Sequence, residues 1–194
     1  MRKRSQRIQA QYMLLICIFL CFFTLSEIFA DEPPKTNTTP ALQEYPSALG
    51  ISLSTIGNVG LSWKHWFGIT GTEVTVGGLW DPAATVGNIY WYSVSAAVSH
   101  RLFSEDFADW FSGGLDLVLL LGHAGEDGFD YDVGSSNYIR IGYVPYLYLG
   151  AGIGIEMVMF RHFSQELQFL YMARFLNSPG IHLGVNASFR YRYK

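Results

Sequence analysis

Apolar and polar residues alternate along most of the chain from about residue 50 onward. The last segment shows this most clearly, because apolar side chains occupy every second position from Ile181 to Tyr193, and the positions between them carry polar residues or glycine. A period of two is typical of a β-strand whose two faces meet different surroundings, since successive side chains point to opposite sides. The pattern therefore predicts an all-β fold.

The same alternation recurs in earlier segments, separated by turn-forming or polar residues. We predict eight strands, over residues 48–55, 59–67, 72–80, 88–101, 110–121, 145–160, 164–175 and 180–193. The connections 68–71, 102–109 and 161–163 are short, whereas 122–144 is long. Two alternatives stay open: residues 51–67 keep one phase and would suit a single long strand, and residues 138–144 would then supply the missing one.

The two faces of these strands differ in size as well as in polarity. The apolar faces carry bulky aliphatic and aromatic side chains, whereas the polar faces combine Gly and Ser with a few long charged residues. The interior of an eight-stranded barrel is narrow, so it suits the small residues and paired charges, and the bulky face then meets lipid. We therefore predict an eight-stranded antiparallel transmembrane β-barrel over residues 48–194. A soluble exported barrel that binds an apolar ligand, similar to a lipocalin, is the alternative.

The N-terminal segment predicts export. Four basic residues between Arg2 and Arg7 precede an apolar run from Met13 to Leu25, and the segment closes on Ala30. This order is typical of a secretory signal peptide over residues 1–30, and about 13 apolar residues are too few to span a bilayer core of about 30 Å. Residues 31–47 are polar and rich in proline, which predicts a flexible periplasmic tail.

Composition narrows the class further. The chain of 194 residues is 49 % hydrophobic, 16 % aromatic and only 15 % charged. Beyond the N-terminus it has no apolar run of about 20 residues, which excludes a polytopic helical membrane protein, and it has no basic stripe that would bind nucleic acid. Both cysteines, Cys17 and Cys21, lie in the predicted signal peptide, so the exported chain must be stabilised without disulfides.

Aromatic residues concentrate near the predicted strand ends. Trp and Tyr favour the headgroup level of a bilayer and form girdles around membrane barrels. The predicted membrane-interface aromatics are Trp63, Trp66, Trp80, Trp91, Trp110, Tyr191 and Tyr193.

A set of charged residues shares the phase of the small polar face. Strand phase places in the lumen Lys64, Glu73, Arg101, Asp116, Arg140, Glu156, Glu166, Arg174, Arg190 and Arg192. Charges in a narrow lumen are desolvated unless they pair. They would form either a selectivity-determining gate or a salt-bridged plug, and the plug is favoured. Eight strands leave little continuous water channel, so a general porin is not expected.

The last strand carries a resemblance to a known class. The stretch Gly184-Val-Asn-Ala-Ser-Phe189-Arg-Tyr191-Arg-Tyr193-Lys194 resembles the C-terminal assembly signal of bacterial outer-membrane barrel proteins, although Lys194 follows the last aromatic. Over residues 48–194 the chain is similar in pattern to small outer-membrane β-barrels of the OmpA, OmpX and OmpW kind. The resemblance implies a location in the bacterial outer membrane, contact with its lipid, and recognition by the barrel-assembly machinery. We expect a monomer with no cofactor and no nucleic-acid partner.

The candidate chemistry outside the lumen is limited. His162-Phe163-Ser164 is similar to the His-x-Ser pair of outer-membrane lipid A deacylases, but Gln165 stands where that family has Asn. The acidic segment 122–137 contains Glu126, Asp127, Asp130 and Asp132, without the donor spacing of a calcium loop, so no metal site is predicted. We expect a non-enzymatic barrel with a structural, surface-interaction or narrow small-solute role. A lipid A deacylase is the enzymatic alternative.

Overall fold

The computed structural model describes residues 44–55, 58–81, 89–132, 137–177 and 179–194. The predicted signal peptide, residues 1–30, and most of the predicted tail, through residue 43, lie outside the described residues. In the described part of the chain, no helix is long and apolar enough to cross a membrane.

Eight antiparallel strands close into a barrel in chain order. The strands are β1 (Ser47–Ser54), β2 (Asn58–Phe67), β3 (Thr70–Asp81), β4 (Ile89–Ala108), β5 (Phe111–Asp132), β6 (Asn137–Met159), β7 (Phe163–Arg174) and β8 (Gly180–Tyr193). Each strand pairs with its neighbours in sequence, and β1 pairs with β8 from Ser47–Tyr193 to Ser54–Asn186. The predicted eight-stranded antiparallel barrel is confirmed. Residues 51–67 form two paired strands, so the single-strand alternative is wrong.

Three strands run further than the alternation predicted. β4 continues through the predicted connection 102–109, so that Glu105 and Asp106 lie in a strand. β5 and β6 occupy most of the predicted loop 122–144, which includes residues 138–144. The ladder shifts register between Arg101 and Phe103 and again at Gly128. The β-bulge near Arg101 breaks the period of two while the pairing continues. In β5 the predicted strand ends at Leu121 because residues 122–127 carry no bulky apolar side chains, although they remain paired.

The two ends of the barrel differ. At one end, which we call the terminal end, lie Ser47 and Tyr193 together with the tight turns between β2 and β3, β4 and β5, and β6 and β7. The opposite end, which we call the loop end, carries the connections between β1 and β2, β3 and β4, β5 and β6, and β7 and β8. Short turns on the side of the termini are typical of outer-membrane barrels.

The register fixes the tilt of the strands. Registered partners followed from Leu49 around the ring lead to Ile181 on β8, whereas Leu49 itself pairs with Tyr191, ten residues away. Such a stagger over eight strands requires a tilt of about 35–45° from the barrel axis.

The outer surface of the barrel is apolar and its interior contains charged residues, which is the reverse of a soluble barrel. The outward face is apolar and exposed around the ring, for example at Leu61, which is 67 % exposed, and at Ile51 and Ile153. Lys64, Asp116 and Arg192 point inward and are fully buried. A lipocalin-like barrel needs an apolar interior, so that alternative is wrong.

The lumen also contains an apolar layer. Ala97, Val118, Leu120, Leu170 and Met172 form a buried cluster inside the barrel, from strands β4, β5 and β7. The alternation of the strands placed these residues on the inner face. The interior was predicted to be polar and charged, so an apolar layer there was not expected. This layer fills lumen volume that would otherwise hold water.

Glycines of β6 allow adjacent strands to approach closely. A Cβ at Gly152 would lie 1.9 Å from the carbonyl oxygen of Phe169 on β7. Gly152 therefore allows β6 to lie close against β7.

We predict that Gly152→Ala destabilises the folded barrel by about 1–3 kcal/mol, because the added methyl group forces β6 away from β7. Urea unfolding of the chain in detergent micelles would measure the change. Gly180→Ala is the matched control, since its Cβ would meet only the flexible side chain of His182. Equal stability of the two variants would contradict this explanation.

Candidate functional site

Charged side chains from seven of the eight strands meet inside the barrel. The participants are Lys64 (β2), Glu73 (β3), Arg101 (β4), Asp116 (β5), Glu156 (β6), Glu166 (β7), and Arg190 and Arg192 (β8). We call this set the ionic network. Strand β1 contributes small side chains instead: Ala48 and Gly50 are registered opposite Arg192 and Arg190. The small side chains of β1 leave lumen space for the two guanidinium groups.

One half of the network is organised around Arg190. Its guanidinium binds Glu166 with an Nη1–Oε2 distance of 2.6 Å and binds Glu73 through Nη2. Its Nε donates to Ser62 Oγ at 2.8 Å, and Ser62 in turn donates to Glu73 at 2.8 Å. Every polar edge of this guanidinium therefore faces an acceptor, which is the arrangement that makes a buried arginine tolerable.

The other half is organised around Arg101. Its guanidinium binds Asp116 through Nε and binds Glu156 with an Nη2–Oε2 distance of 2.5 Å. Ser164 donates to the second oxygen of Glu156 at 2.8 Å. A Cβ at Gly114 would lie 2.7 Å from Arg101 Nη1, so the guanidinium occupies the space that a side chain there would take.

Lys64 joins the two halves. Its Nζ lies 2.8 Å from Glu166 Oε2 and 3.9 Å from Asp116 Oδ2. The ionic network has four cations and four anions, so it is formally neutral. Removing charges from water is costly, and only a complete and balanced set of partners offsets that cost. Removal of Lys64, Arg101 or Arg190 would take a cation from at least one buried carboxylate, so these pairs are expected to stabilise one another.

Neutral polar residues complete the network, and reasoning from charge alone missed them. Gln168 donates to Glu166 at 2.9 Å and to Glu73 at 3.2 Å. Asn186 donates to Gln168 at 3.1 Å. Residues separated by an even number of positions along a strand point to the same side, which we call strand parity. Gln168 has the same parity as Glu166, and Asn186 has the same parity as Arg190. Parity could therefore have predicted that both side chains face the lumen.

Trp66 lies inside the barrel, so its prediction as a membrane-interface residue is wrong. It is 6 % exposed, and its ring lies 4.5 Å from Lys64 Nζ and 4.2 Å from Arg101 Cζ. Its position two residues after Lys64 gives it the same inward parity. A Cβ at Gly71 would touch the indole at 3.0 Å, so glycine on β3 makes room for it. The ring provides cation–π contacts to both bases.

Other predicted interface aromatics are exposed at the terminal end. Trp63, Trp110, Tyr191 and Tyr193 all face outward there, and Trp63 Nε1 donates to Tyr193 Oη at 3.2 Å. Trp91 is half-buried and shares the parity of the inward-facing Ser93, so its parity places it on the lumen side instead of the lipid side. The backbone of Trp80 pairs with Tyr90 in the ladder, and its side chain lies outside the described residues.

Arg174, a predicted lumen charge, lies away from the ionic network. Arg174 is near the loop end, where its Cζ lies 5.3 Å from the ring of Tyr146, and Tyr146 donates to Glu126 at 2.5 Å. Strand parity gives the facing side but not the height in the barrel, so it grouped Arg174 with residues much nearer the terminal end. The backbone of Arg140 pairs with Phe129, and its side chain is outside the described residues.

The structure does not assemble His162 and Ser164 for catalysis. Ser164 is buried in the lumen and donates to Glu156, whereas His162 lies in the β6–β7 turn with its Nδ1 3.2 Å from the carbonyl oxygen of Arg192. No hydrogen bond joins the two side chains, both of which are described. Nucleophilic serine chemistry requires the histidine within hydrogen-bond reach of the hydroxyl.

The acidic residues of segment 122–132 belong to strand β5. Glu126 accepts the hydroxyl of Tyr146, and Asp127 is buried. The side chains of Asp130 and Asp132 lie outside the described residues. Across the described ranges, no group of three or more His, Cys, Asp or Glu side chains is placed to hold a metal ion.

These features define a class. A closed β-ladder leaves no open backbone edge around its ring, and an apolar exterior around an ion-paired interior is the arrangement of an outer-membrane-type β-barrel. The protein is a small barrel of this type with eight strands.

Several solved structures are similar to this chain, and three of them are small barrels. The N-terminal β-barrel domain of Pseudomonas aeruginosa OprF is similar over 75 % of this chain and 97 % of its own, with 13 % identity and a TM-score of 0.43. Ail, the attachment invasion locus protein of Yersinia pestis, is similar over 76 % and 94 %, with 16 % identity and a TM-score of 0.37. Neisserial surface protein A is similar over 76 % and 92 %, with 15 % identity and a TM-score of 0.37. No protein-family model and no curated protein matches the chain.

We predict that Arg190→Met lowers the free energy of unfolding by about 3–5 kcal/mol, because it leaves Glu73 and Glu166 buried without their main cation. Urea unfolding in detergent micelles would measure this loss. Arg161→Met is the control: its side chain is 54 % exposed and pairs with Glu44 at the surface, so the change should stay within about 1 kcal/mol. An Arg190 variant as stable as the wild type would contradict this stabilising role.

Proposed function

We propose that the protein is a sealed, non-enzymatic barrel of the bacterial outer membrane that anchors a projecting β-hairpin at the cell surface. The observation that carries this proposal is that side chains fill most of the described part of the lumen. The ionic network and the apolar layer lie at successive heights in the lumen, so that a solute would have to displace both. A narrow solute pathway is the competing role.

The lumen contains little free volume through which a solute could pass. The cavity beside the apolar layer has a volume of about 20 Å³, which accommodates about one water molecule. Its walls include Ser52, Thr75, Gln168 and Leu120. A water file across the membrane needs many such spaces in line, and the balanced charges of the network give no single site at which a passing ion would be favoured.

The loop end supports a surface role. Within the described strands, the registered pairing of β5 with β4 ends at the Trp91–Glu126 rung. The registered pairing of β6 with β7 ends at the Tyr148–Arg174 rung and is followed by one backbone hydrogen bond from Phe175 N to the carbonyl oxygen of Leu147. Beyond these rungs β5 and β6 pair with each other up to Asp132 and Asn137. A two-stranded hairpin therefore extends past the barrel wall, and its length gives it the reach to contact partners outside the membrane.

The C-terminal strand supports assembly by the barrel-assembly machinery. Phe189, Tyr191 and Tyr193 all point outward and are exposed to the bilayer side. This row of alternate aromatics is accessible before β8 is closed against β1, because side chains on the outer face take no part in the ladder. The finished ring would then remain monomeric, with outer-membrane lipid as its immediate surroundings.

We predict that the folded wild-type chain produces no stable conductance steps in planar lipid bilayers. Arg190→Ala and Arg192→Ala should also remain closed, because Leu120, Leu170 and Met172 still block the lumen when a guanidinium is removed. Heat-modifiable mobility on gels would verify that each variant has folded. Reproducible steps from the folded wild type would contradict the sealed barrel and favour solute passage.

We predict that Ser164→Ala leaves the acylation of lipid A in the host unchanged, because Ser164 serves as a buried donor to Glu156. Mass spectrometry of extracted lipid A, with and without expression of the chain, would test this. His162→Ala is the parallel variant and should behave alike. Loss of an acyl chain from lipid A with the wild type, abolished in both variants, would establish the deacylase instead.

A further inference from the structure

A groove crosses the outer face of the barrel near the terminal end, over strands β1, β8, β7 and β6. It has a volume of about 480 Å³, and its apolar walls are about half exposed on the lipid-facing side. One wall is formed by registered partners on successive strands, namely Leu49, Tyr191, Phe163 and Met159. The other wall lies one outward-facing row nearer the loop end and contains Ile51, Phe189 and Gln165. We call this the outer groove.

The outer groove runs obliquely to the membrane plane. Registered rows climb toward the loop end as they pass from β1 to β2 and onward, so they descend toward the terminal end from β1 through β8 and β7 to β6. Three strand spacings of about 4.8 Å, at a tilt of about 40°, place Met159 about 9 Å nearer the terminal end than Leu49. One end of the groove therefore adjoins the β6–β7 turn, and the other end, at Ile51, lies closer to the middle of the bilayer.

A polar amide lies in this apolar groove. Gln165 is half-buried and points outward with Phe163, and its registered neighbours are Met157 and Phe189. Within the described part of the chain, no group forms a hydrogen bond with this amide. An amide without a partner is costly in hydrocarbon. A lipid group with a hydrogen-bonding oxygen would remove that cost.

Opposite charges lie beside the terminal end of the outer groove. Arg161 is in the β6–β7 turn, two residues before Phe163, and is 54 % exposed. Its Nη1 pairs with Glu44 Oε2 at 3.0 Å, and its other guanidinium nitrogens have no partner among the described residues. An exposed pair of this kind contributes little, so it does not hold the guanidinium against a charged ligand. Phe160 stacks on Trp110 at 5.7 Å, and such aromatic residues mark the head-group level of a membrane barrel.

We infer that the outer groove binds one phosphatidylethanolamine molecule from the leaflet at the terminal end. The guanidinium of Arg161 binds the phosphate, because its planar donors match phosphate oxygens, and Glu44 accepts from the ammonium. Gln165 donates to an ester carbonyl, and one acyl chain lies along the groove toward Ile51. The site rests on the membrane placement of the barrel in the proposed function, but not on whether the lumen conducts.

The neighbouring acid and base determine the choice of head group. A phosphate that binds Arg161 competes with Glu44 for its cation, and a primary ammonium beside the phosphate replaces that cation. Phosphatidylglycerol carries no cation for Glu44. The quaternary ammonium of phosphatidylcholine has no N–H to donate to the carboxylate.

The test uses residues 31–194, folded and inserted in nanodiscs that contain equal amounts of these three phospholipids with identical acyl chains. Native mass spectrometry after release is expected to show one phosphatidylethanolamine per barrel, retained about tenfold more than either other lipid. Arg161→Met should lower this retention about tenfold, and Gln165→Leu should lower it severalfold. Glu44→Gln should remove the preference for phosphatidylethanolamine over phosphatidylcholine.

The matched control is Thr72→Val. Thr72 has the outward parity of Val74 and is the third residue of β3 from the terminal end, as Gln165 is of β7, but it lies outside the outer groove. This variant should retain lipid as the wild type does. Retention by Gln165→Leu equal to that by Thr72→Val would overturn the role of the amide, and with it the site.

A labelling experiment tests the path of the acyl chain. Phosphatidylethanolamine with a photoreactive group at the end of its acyl chain should label peptides that contain Leu49 or Ile51, and not the β5 wall around Leu117. Equal retention of the three lipids, full retention by folded Arg161→Met, or uniform labelling around the barrel would each overturn the site. Heat-modifiable mobility and nanodisc insertion distinguish these results from failure of the proposed function, since a chain that does not insert would contradict the membrane barrel itself.

Discussion

Closure of the backbone hydrogen-bond ladder between β1 and β8 is the interaction on which the rest of the structure depends. In hydrocarbon, an unsatisfied peptide group costs several kcal/mol, so the strands are stable only as a complete ring. Once the ring closes, the surroundings of each side chain are fixed. One set of alternate side chains faces lipid, and the other set faces the narrow lumen. The apolar exterior and the ionic network both follow from this geometric constraint.

The sequence predicted which residues of each strand share a face, and this pattern determines the outer and inner surfaces of the barrel. The row from Ile181 to Tyr193 showed two chemically distinct faces, and those faces are the outer and inner surfaces of the barrel. Strand lengths were less predictable. The bulge near Arg101 interrupts the alternation without ending the pairing, and residues 122–127 stay paired although they carry no bulky apolar side chains. A periodic signal measures side-chain direction, whereas strand length depends on backbone partners that lie elsewhere in the chain.

For the candidate site, the sequence likewise predicted which side chains point inward, but not their positions along the barrel axis. Parity pointed Lys64, Arg190 and Glu166 inward, and the structure brings them into contact. Parity could not place Arg174 at another height, because height depends on the stagger of the whole ring. Trp66 was misplaced for a different reason. Its residue type suggested the bilayer interface, yet its inward parity and the two neighbouring cations keep it in the lumen.

The pairing of charges across adjacent strands has a consequence for how the barrel finds its correct alignment. Lys64 is registered with Glu73, and Arg101 with Asp116. A slip of one residue would turn apolar side chains inward, so hydrophobicity alone rejects it. A slip of two residues keeps every apolar side chain facing lipid, and hydrophobicity cannot detect the error. Such a slip would place Arg101 opposite Gly114 or Val118, and its buried charge would lose its registered partner. The charged residues therefore disfavour a register shift of two residues, which the hydrophobic pattern alone would permit.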